Sequence, residues 1–264
     1  MVTGVLLGVV VVAAALAVGG YLVTNWRFTL AREGSAWHVS RGLFTTRETS
    51  LDVARVAGVT RGEQAALRLA RGGRLSAIVT GLGAGRGSSA VLVPPAPAGV
   101  VAQAAGAVLA SDLPMSAPLR GHGPAAVRRR YTRALLGAVP FVAVPVVAVA
   151  LGAPPWLLVG AAVPVAAALA LARDRARGLG HGLVDGFVVV RSGSMLRERD
   201  ALATGHVIGW TFRDTWFQRR VGLTTLSATT AGGKGAVHAP DAPAGDAVAL
   251  AVAATPGLLD PFTA

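Results

Sequence analysis

The 264-residue sequence has no cysteine, one lysine (Lys234) and only 5% aromatic residues. Without cysteine there are neither disulfides nor thiolate metal sites. The five histidines, His38, His122, His181, His206 and His238, show no HExxH or other metal-ligand spacing. The glycine-rich pieces 81–87 and Gly232–Gly235 lack the lysine and Ser/Thr of a phosphate loop, and they fall where hairpin turns are expected. No helix-turn-helix, zinc or aromatic RNA-binding motif is present to claim the net charge of +12 for nucleic acid. Asp185, Glu198 and Asp200 are the one carboxylate set worth weighing for acid–base work. Glu198 and Asp200 alternate with Arg197 and Arg199, which reads as one solvated strand face. No catalytic, cofactor-binding or metal-binding residue is therefore expected.

Charge is also missing from two long stretches. Residues 134–151 and 156–172 contain no charged side chain, and each is close to the ~20 residues that carry a helix across a bilayer core. Between them Gly152-Ala153-Pro154-Pro155 cannot continue a helix. The pair reads as a transmembrane hairpin over 134–172. Pro140, Pro145 and Pro164 fall inside it, where membrane helices tolerate them. Arg128, Arg129, Arg130 and Arg133 precede the hairpin and Arg173, Arg175 and Arg177 follow it, while the turn carries no cation. The positive-inside rule places both flanks in the cytoplasm. A further apolar run, Val5–Val23, lacks the basic start and cleavage pattern of a signal peptide and reads as a first span within 1–26, N-terminus outside. Tyr21, Trp26 and Trp156 are its and the hairpin's interfacial anchors. With 53% hydrophobic residues, and the Ala, Arg, Gly and Val bias of a GC-rich bacterial genome, the chain reads as a multi-pass protein of a bacterial cell membrane.

Between the spans, 27–113 shows short strand-like stretches (28–31, 37–40, 74–80 and 90–93) and then a helix over 97–109. Residues 114–133 read as a linker with a basic flank. After the hairpin, 173–264 repeats the grammar, with strands near 187–191, 195–199, 207–212 and 226–230 and a helix near 245–254. At a constant offset of 151 residues Gly42 matches Gly193, Leu51 matches Leu202, Val56 matches Val207, Leu75-Ser76-Ala77 matches Leu226-Ser227-Ala228, and Gly81 matches Gly232. Duplication of a span plus a domain explains this better than chance.

The pieces FTLAREGSAWHVSRGLFTTRE and ARGGRLSAIVTG in the first copy, and GLGHGLVDGFVVVRSGSMLRERDAL and FQRRVGL…TAG in the second, resemble the bacterial pleckstrin-homology (PH)-like domain of YdbS/YdbT-type membrane proteins. The resemblance implies an α+β membrane protein with three transmembrane helices, one single span and one hairpin. It also implies two PH-like β-barrel domains, each capped by a C-terminal helix. Larger members of that family have further domains, so the chain reads as a shortened member or one lacking an upstream part. The first copy has Ala65-Ala66-Leu67-Arg68-Leu69 where the second has Trp216-Phe217-Gln218-Arg219-Arg220, so it lacks the aromatic pair.

Arg213, Trp216, Phe217, Arg219 and Arg220 are the candidate contact residues for a membrane or a partner, since rings can enter the interface while guanidinium groups pair with lipid phosphates. The expected function is a non-enzymatic scaffold or binding module with cytoplasmic PH-like domains. Anionic lipid head groups or another membrane protein are its candidate partners. The alternative is a regulatory subunit that packs through its helices against a membrane complex or transporter, using the Gly4-xxx-Gly8 spacing.

Overall fold

The computed structural model describes residues 2–81 and 89–258. Most of the glycine-rich turn expected at 81–87 lies outside the described residues. Among the described residues three helices are long and apolar enough to cross a membrane: α1 (Val2–Thr24), α5 (Gly123–Ala150) and α6 (Leu157–Gly178). α5 and α6 form the hairpin and pack through small side chains, with Ala138, Ala161, Ala168 and Ala172 buried. Both helices run past the apolar stretches. α5 starts at Gly123 and α6 ends at Gly178, so the flanking arginines are helical. Arginine is a good helix former, and acidic partners described below hold several of these side chains in place.

The remaining elements recur in two sets. The first comprises β1 (Thr29–Glu33), β2 (Ala36–Arg41), β3 (Arg47–Asp52), β4 (Val56–Gln64), the short helix α2 (Ala65–Leu69), β5 (Gly72–Val79), β6 (Ser89–Pro97) and α3 (Ala98–Leu109). After the one-turn helix α4 (Leu113–Ser116) and the hairpin come β7 (Gly180–Val184), β8 (Phe187–Gly193), β9 (Leu196–Ala203), β10 (Gly209–Arg213), α7 (Trp216–Arg219), β11 (Leu223–Thr229), β12 (Ala236–Pro243) and α8 (Ala244–Ala254). β1 and β7, β2 and β8, α2 and α7, and β5 and β11 each start 151 residues apart. Across the β5–β6 turn the spacing shortens, and α3 and α8 start 146 residues apart. Gly42 and Gly193 hold equivalent left-handed conformations (φ 122° and 96°), and a Cβ on either would run into the backbone at Thr45 or Leu196.

The strands do not sort into two separate barrels. Among the described residues they form three open sheets, ordered β1-β2-β3, β10-β11-β12 and β6-β5-β4-β9-β8-β7. The six-stranded sheet joins the two sets where β4 pairs antiparallel with β9, Thr60 opposite Asp200 and Gln64 opposite Leu196. It is buried on both faces. Val59, Leu75, Ala77, Val79, Val189 and Ala201 pack against Trp37, Val39 and Leu51 of the first small sheet and against α3. Ile78, Val188, Val190 and Leu202 point the other way, toward Leu226, Ala228, Val237 and Ala239 of the second small sheet and toward α8. Side chains alternate across a strand, so a strand buried on both faces reads as an unbroken apolar run, as Val188-Val189-Val190 does. Each fully buried leucine (Leu75, Leu92, Leu202 and Leu226) contributes about 1.5–3 kcal/mol.

The Arg197–Asp200 alternation, read as a solvated face, therefore lies in the middle of the largest sheet. Its side chains are all partnered. Arg199 donates to the carbonyls of Pro114 and Ala117 (2.9 and 2.7 Å), Thr60 Oγ1 donates to Asp200 Oδ1 (2.6 Å), and Lys234 Nζ donates to Glu198 Oε2 (2.6 Å). The stretch read as a linker carries α4, whose Pro114 and Met115 are buried, and Arg120, whose backbone pairs with that of His181.

Candidate membrane-interface site

α7 is a single turn, yet it is firmly placed. Thr215 caps it: Gln218 N donates to Thr215 Oγ1 (3.4 Å) and Thr215 N to Gln218 Oε1 (2.9 Å), a reciprocal capping box. The Gln218 side chain is buried and points inward, its Nε2 donating to Thr225 Oγ1 (3.1 Å) and to Asp241 Oδ1 (2.8 Å).

Asp241 is the node of this region. It is 2% exposed, sits on β12 in a left-handed conformation (φ 60°), and faces two arginines of α5. Arg129 Nε lies 3.0 Å from its Oδ1 and Arg130 a guanidinium nitrogen 2.8 Å from its Oδ2. Capping box, Gln218, Asp241 and α5 thus form one chain of contacts that fixes α7 beside the basic end of the hairpin.

With Gln218 turned in, its neighbours are turned out. Trp216 is 52% and Phe217 66% exposed, their rings meeting edge to face at 4.9 Å. The Arg220 guanidinium stacks 4.1 Å above the Trp216 ring. Arg219 is exposed and reaches Asp214 only at 3.9 Å, while Arg213 is exposed at the end of β10 with no side-chain ion pair among the described residues. The structure therefore brings Trp216, Phe217 and Arg220 into contact. Of the anchors, Tyr21 donates its hydroxyl to the Pro95 carbonyl (2.6 Å), tying α1 to β6, and Trp26 and Trp156 are exposed.

Between α5 and α7 lies a groove of about 510 Å³. Its α5 wall is one helix face that changes character along its length: Arg128, Arg129, Thr132 and Arg133 first, then Leu136. Phe217 and Val221 form the opposite wall. Arg128 and Arg133 are exposed and make no ion pair among the described residues, in contrast to Arg129 and Arg130.

Two further contacts were not foreseen from sequence. Asp174 of α6 accepts two hydrogen bonds from Arg68 of α2, both 3.0 Å, and one from Arg197 of β9 (2.7 Å), so a single carboxylate ties the hairpin to both sets of strands. Its signal was the lone acid inside the cationic flank Arg173–Arg177. His122 and His181 are both 3% exposed with ring centroids 4.8 Å apart. His122 Nδ1 donates to the Pro240 carbonyl (3.1 Å), and burial holds its pKa down to about 4. Among the described residues no three His, Cys, Asp or Glu side chains converge as metal ligands would.

Three apolar helices beside a layered β-structure suggest a membrane-associated protein. Residues 132–254, just under half of the chain, match the family model of the bacterial PH domain. That family is one of non-catalytic binding modules. No curated protein and no solved structure matches the chain.

Proposed function

We propose that the protein is a non-enzymatic integral membrane scaffold built from two PH-like repeats, of which 27–113 is the first and 173–264 the second. The common 151-residue spacing of β1/β7, β2/β8, α2/α7 and β5/β11 supports duplication. Both repeats lie on the cytoplasmic side and the N-terminus outside, in keeping with the arginines at both ends of the hairpin.

Its ligand at the inner face is the head group of an anionic phospholipid, held in the groove between α5 and α7. The observation that carries this reading is the gradient along the groove. Arg128 and Arg133, without an ion pair among the described residues, sit where α5 turns from cationic to apolar, and Leu136 and Phe217 line the same groove. A phosphate belongs at the first level and an acyl chain at the second. Each arginine near an anionic surface contributes about 1 kcal/mol. Replacing both with alanine is expected to weaken retention of anionic lipid by roughly thirtyfold, about 2 kcal/mol.

The test is native mass spectrometry of the full chain after gentle detergent extraction, comparing wild type with Arg128→Ala/Arg133→Ala. Equal lipid retention by the two would end the lipid reading. A stoichiometric membrane protein in place of lipid would transfer the assignment to a regulatory subunit.

A further inference from the structure

We propose that copies of this protein associate head to tail in the membrane, β10 of one copy pairing antiparallel with β3 of the next, by the same geometry that joins the two repeats within a chain. The inference rests on the two-repeat reading above and adds to it a partner, a second copy of this chain.

Inside the chain the repeats meet through non-equivalent edges. The first offers β4 and the second offers β9, and they pair with Gly58 opposite Leu202, Thr60 opposite Asp200 and Gly62 opposite Glu198. By the 151-residue spacing, the counterpart of β4 is β10 and the counterpart of β9 is β3. Those two strands are the ones left over. β10 is an edge of its sheet, β3 is an edge of its own, and Arg47–Ser50 and Thr211–Arg213 are exposed. A heterologous contact of this kind uses up one edge of each type and leaves one of each at the ends. Repeating it would make β12-β11-β10-β3-β2-β1, the same order as the six-stranded sheet already present. The internal seam already joins two repeats tethered to one membrane, so the operation is compatible with that tether.

Gly209 supplies an independent observation. At the internal seam a Cβ on Gly58 would run into the Ala201 carbonyl, so that glycine is required by the strand across from it. Its counterpart, Gly209, has no atom within 4 Å of where a Cβ would stand. Nothing among the described residues requires a glycine there. A strand docked on β10 in the seam register would, since the carbonyl of Ser50 would then occupy the place that Ala201 holds at Gly58.

Exposed edge strands usually carry devices against such pairing. Here the device is weak: Arg213 would face Arg47, which already faces Arg41 on β2. Like charges directly opposite are unfavourable, so the contact is modest in strength and increases with salt.

The absence of cysteine makes the test clean. One full-length chain carries Thr49→Cys and a differently tagged one carries Thr211→Cys, and the two are co-expressed and oxidised in native membranes. The proposed register sets these positions opposite each other, at Cα separations of ~4.5–5.5 Å that a disulfide can bridge. A disulfide-linked heterodimer is expected. It should be absent when Phe212→Cys, on the other face, replaces Thr211→Cys, and lost when Gly209→Ala is added. Arg213→Glu should raise its yield by up to about fivefold.

An internal pair, Gln64→Cys with Leu196→Cys, reports on the seam within the chain. If that pair closes while the thiols at 49 and 211 stay open to maleimide and unlinked, association between copies is refuted and the two-repeat reading stands. If the internal pair also fails, the seam itself is refuted. A heterodimer indifferent to Gly209→Ala would overturn the proposed register.

Discussion

Asp241 holds α5 of the hairpin to β12, and Asp241→Asn isolates what its charge contributes. Asparagine tolerates the left-handed backbone at this position (φ 60°) and can still accept the hydrogen bond from Gln218 Nε2, so neither strain nor loss of that bond confounds the change. What disappears is the partner of two guanidinium groups that are only 16% exposed. Breaking a buried ion pair from one side leaves uncompensated charge and costs about 3–5 kcal/mol, and exposure at the rim places this case toward the lower figure. About 3 kcal/mol is expected as a fall in the opening free energy of β12 and the first turns of α5, read by native-state hydrogen exchange of the full chain in detergent. Arg128→Ala, one residue from the pair but facing the groove, is the control and should leave the same amides unchanged. A loss below 0.5 kcal/mol for Asp241→Asn would refute the reasoning, because the two arginines would then be solvated well enough not to need the acid.

Two further predictions concern pH, and they have opposite signs. Burial raises the Asp200 carboxyl from 3.8 to about 6, so between those values the folded protein binds a proton that the unfolded chain gives up. Stability from this group therefore falls as pH rises through the window, by about 3 kcal/mol, and Asp200→Asn should recover most of that at pH 7 in thermal unfolding followed by tryptophan fluorescence. Burial lowers His122 from 6.5 to about 4, so the unfolded chain binds the extra proton and stability is lost as pH falls from 6.5 toward 4, again by about 3 kcal/mol. His122→Asn should remove that acid sensitivity, while Asp200→Asn should expose it by removing the opposing slope. Identical pH profiles for the two variants and wild type would refute both assignments.

The three long apolar helices were legible because length and lack of charge decide them locally, and α3 and α8 because a Pro-marked start and an apolar run suffice. The 151-residue spacing, read from a few glycines and leucines, also fell on real elements. β3, β4, β7 and β12 were not read from sequence. β3 (RETSLD) is an exposed edge with one buried side chain, Leu51, so it shows no alternation of apolar and polar residues. β6 and β12 contain prolines, Pro94 and Pro95 in one and Pro240 in the other, which argue against a strand interior and are tolerated because both strands lie at sheet edges.

The seam was hidden for a different reason. Its register pairs β4 with a strand that follows the membrane hairpin, and no local pattern specifies a partner so distant in sequence. Charge alternation at Arg197–Asp200 suggested solvent, whereas each of these charges has its own partner at the join. The same lesson applies to the basic flank. Four arginines before the hairpin gave one reading, a cytoplasmic end, but only with Asp241 in place do they divide into Arg129 and Arg130, which hold the fold together, and Arg128 and Arg133, which are free to meet a ligand. Topology signals count charges, while binding depends on which charges remain uncompensated. On that criterion the groove beside α7 is a place on this hairpin where exposed cations and apolar walls come together.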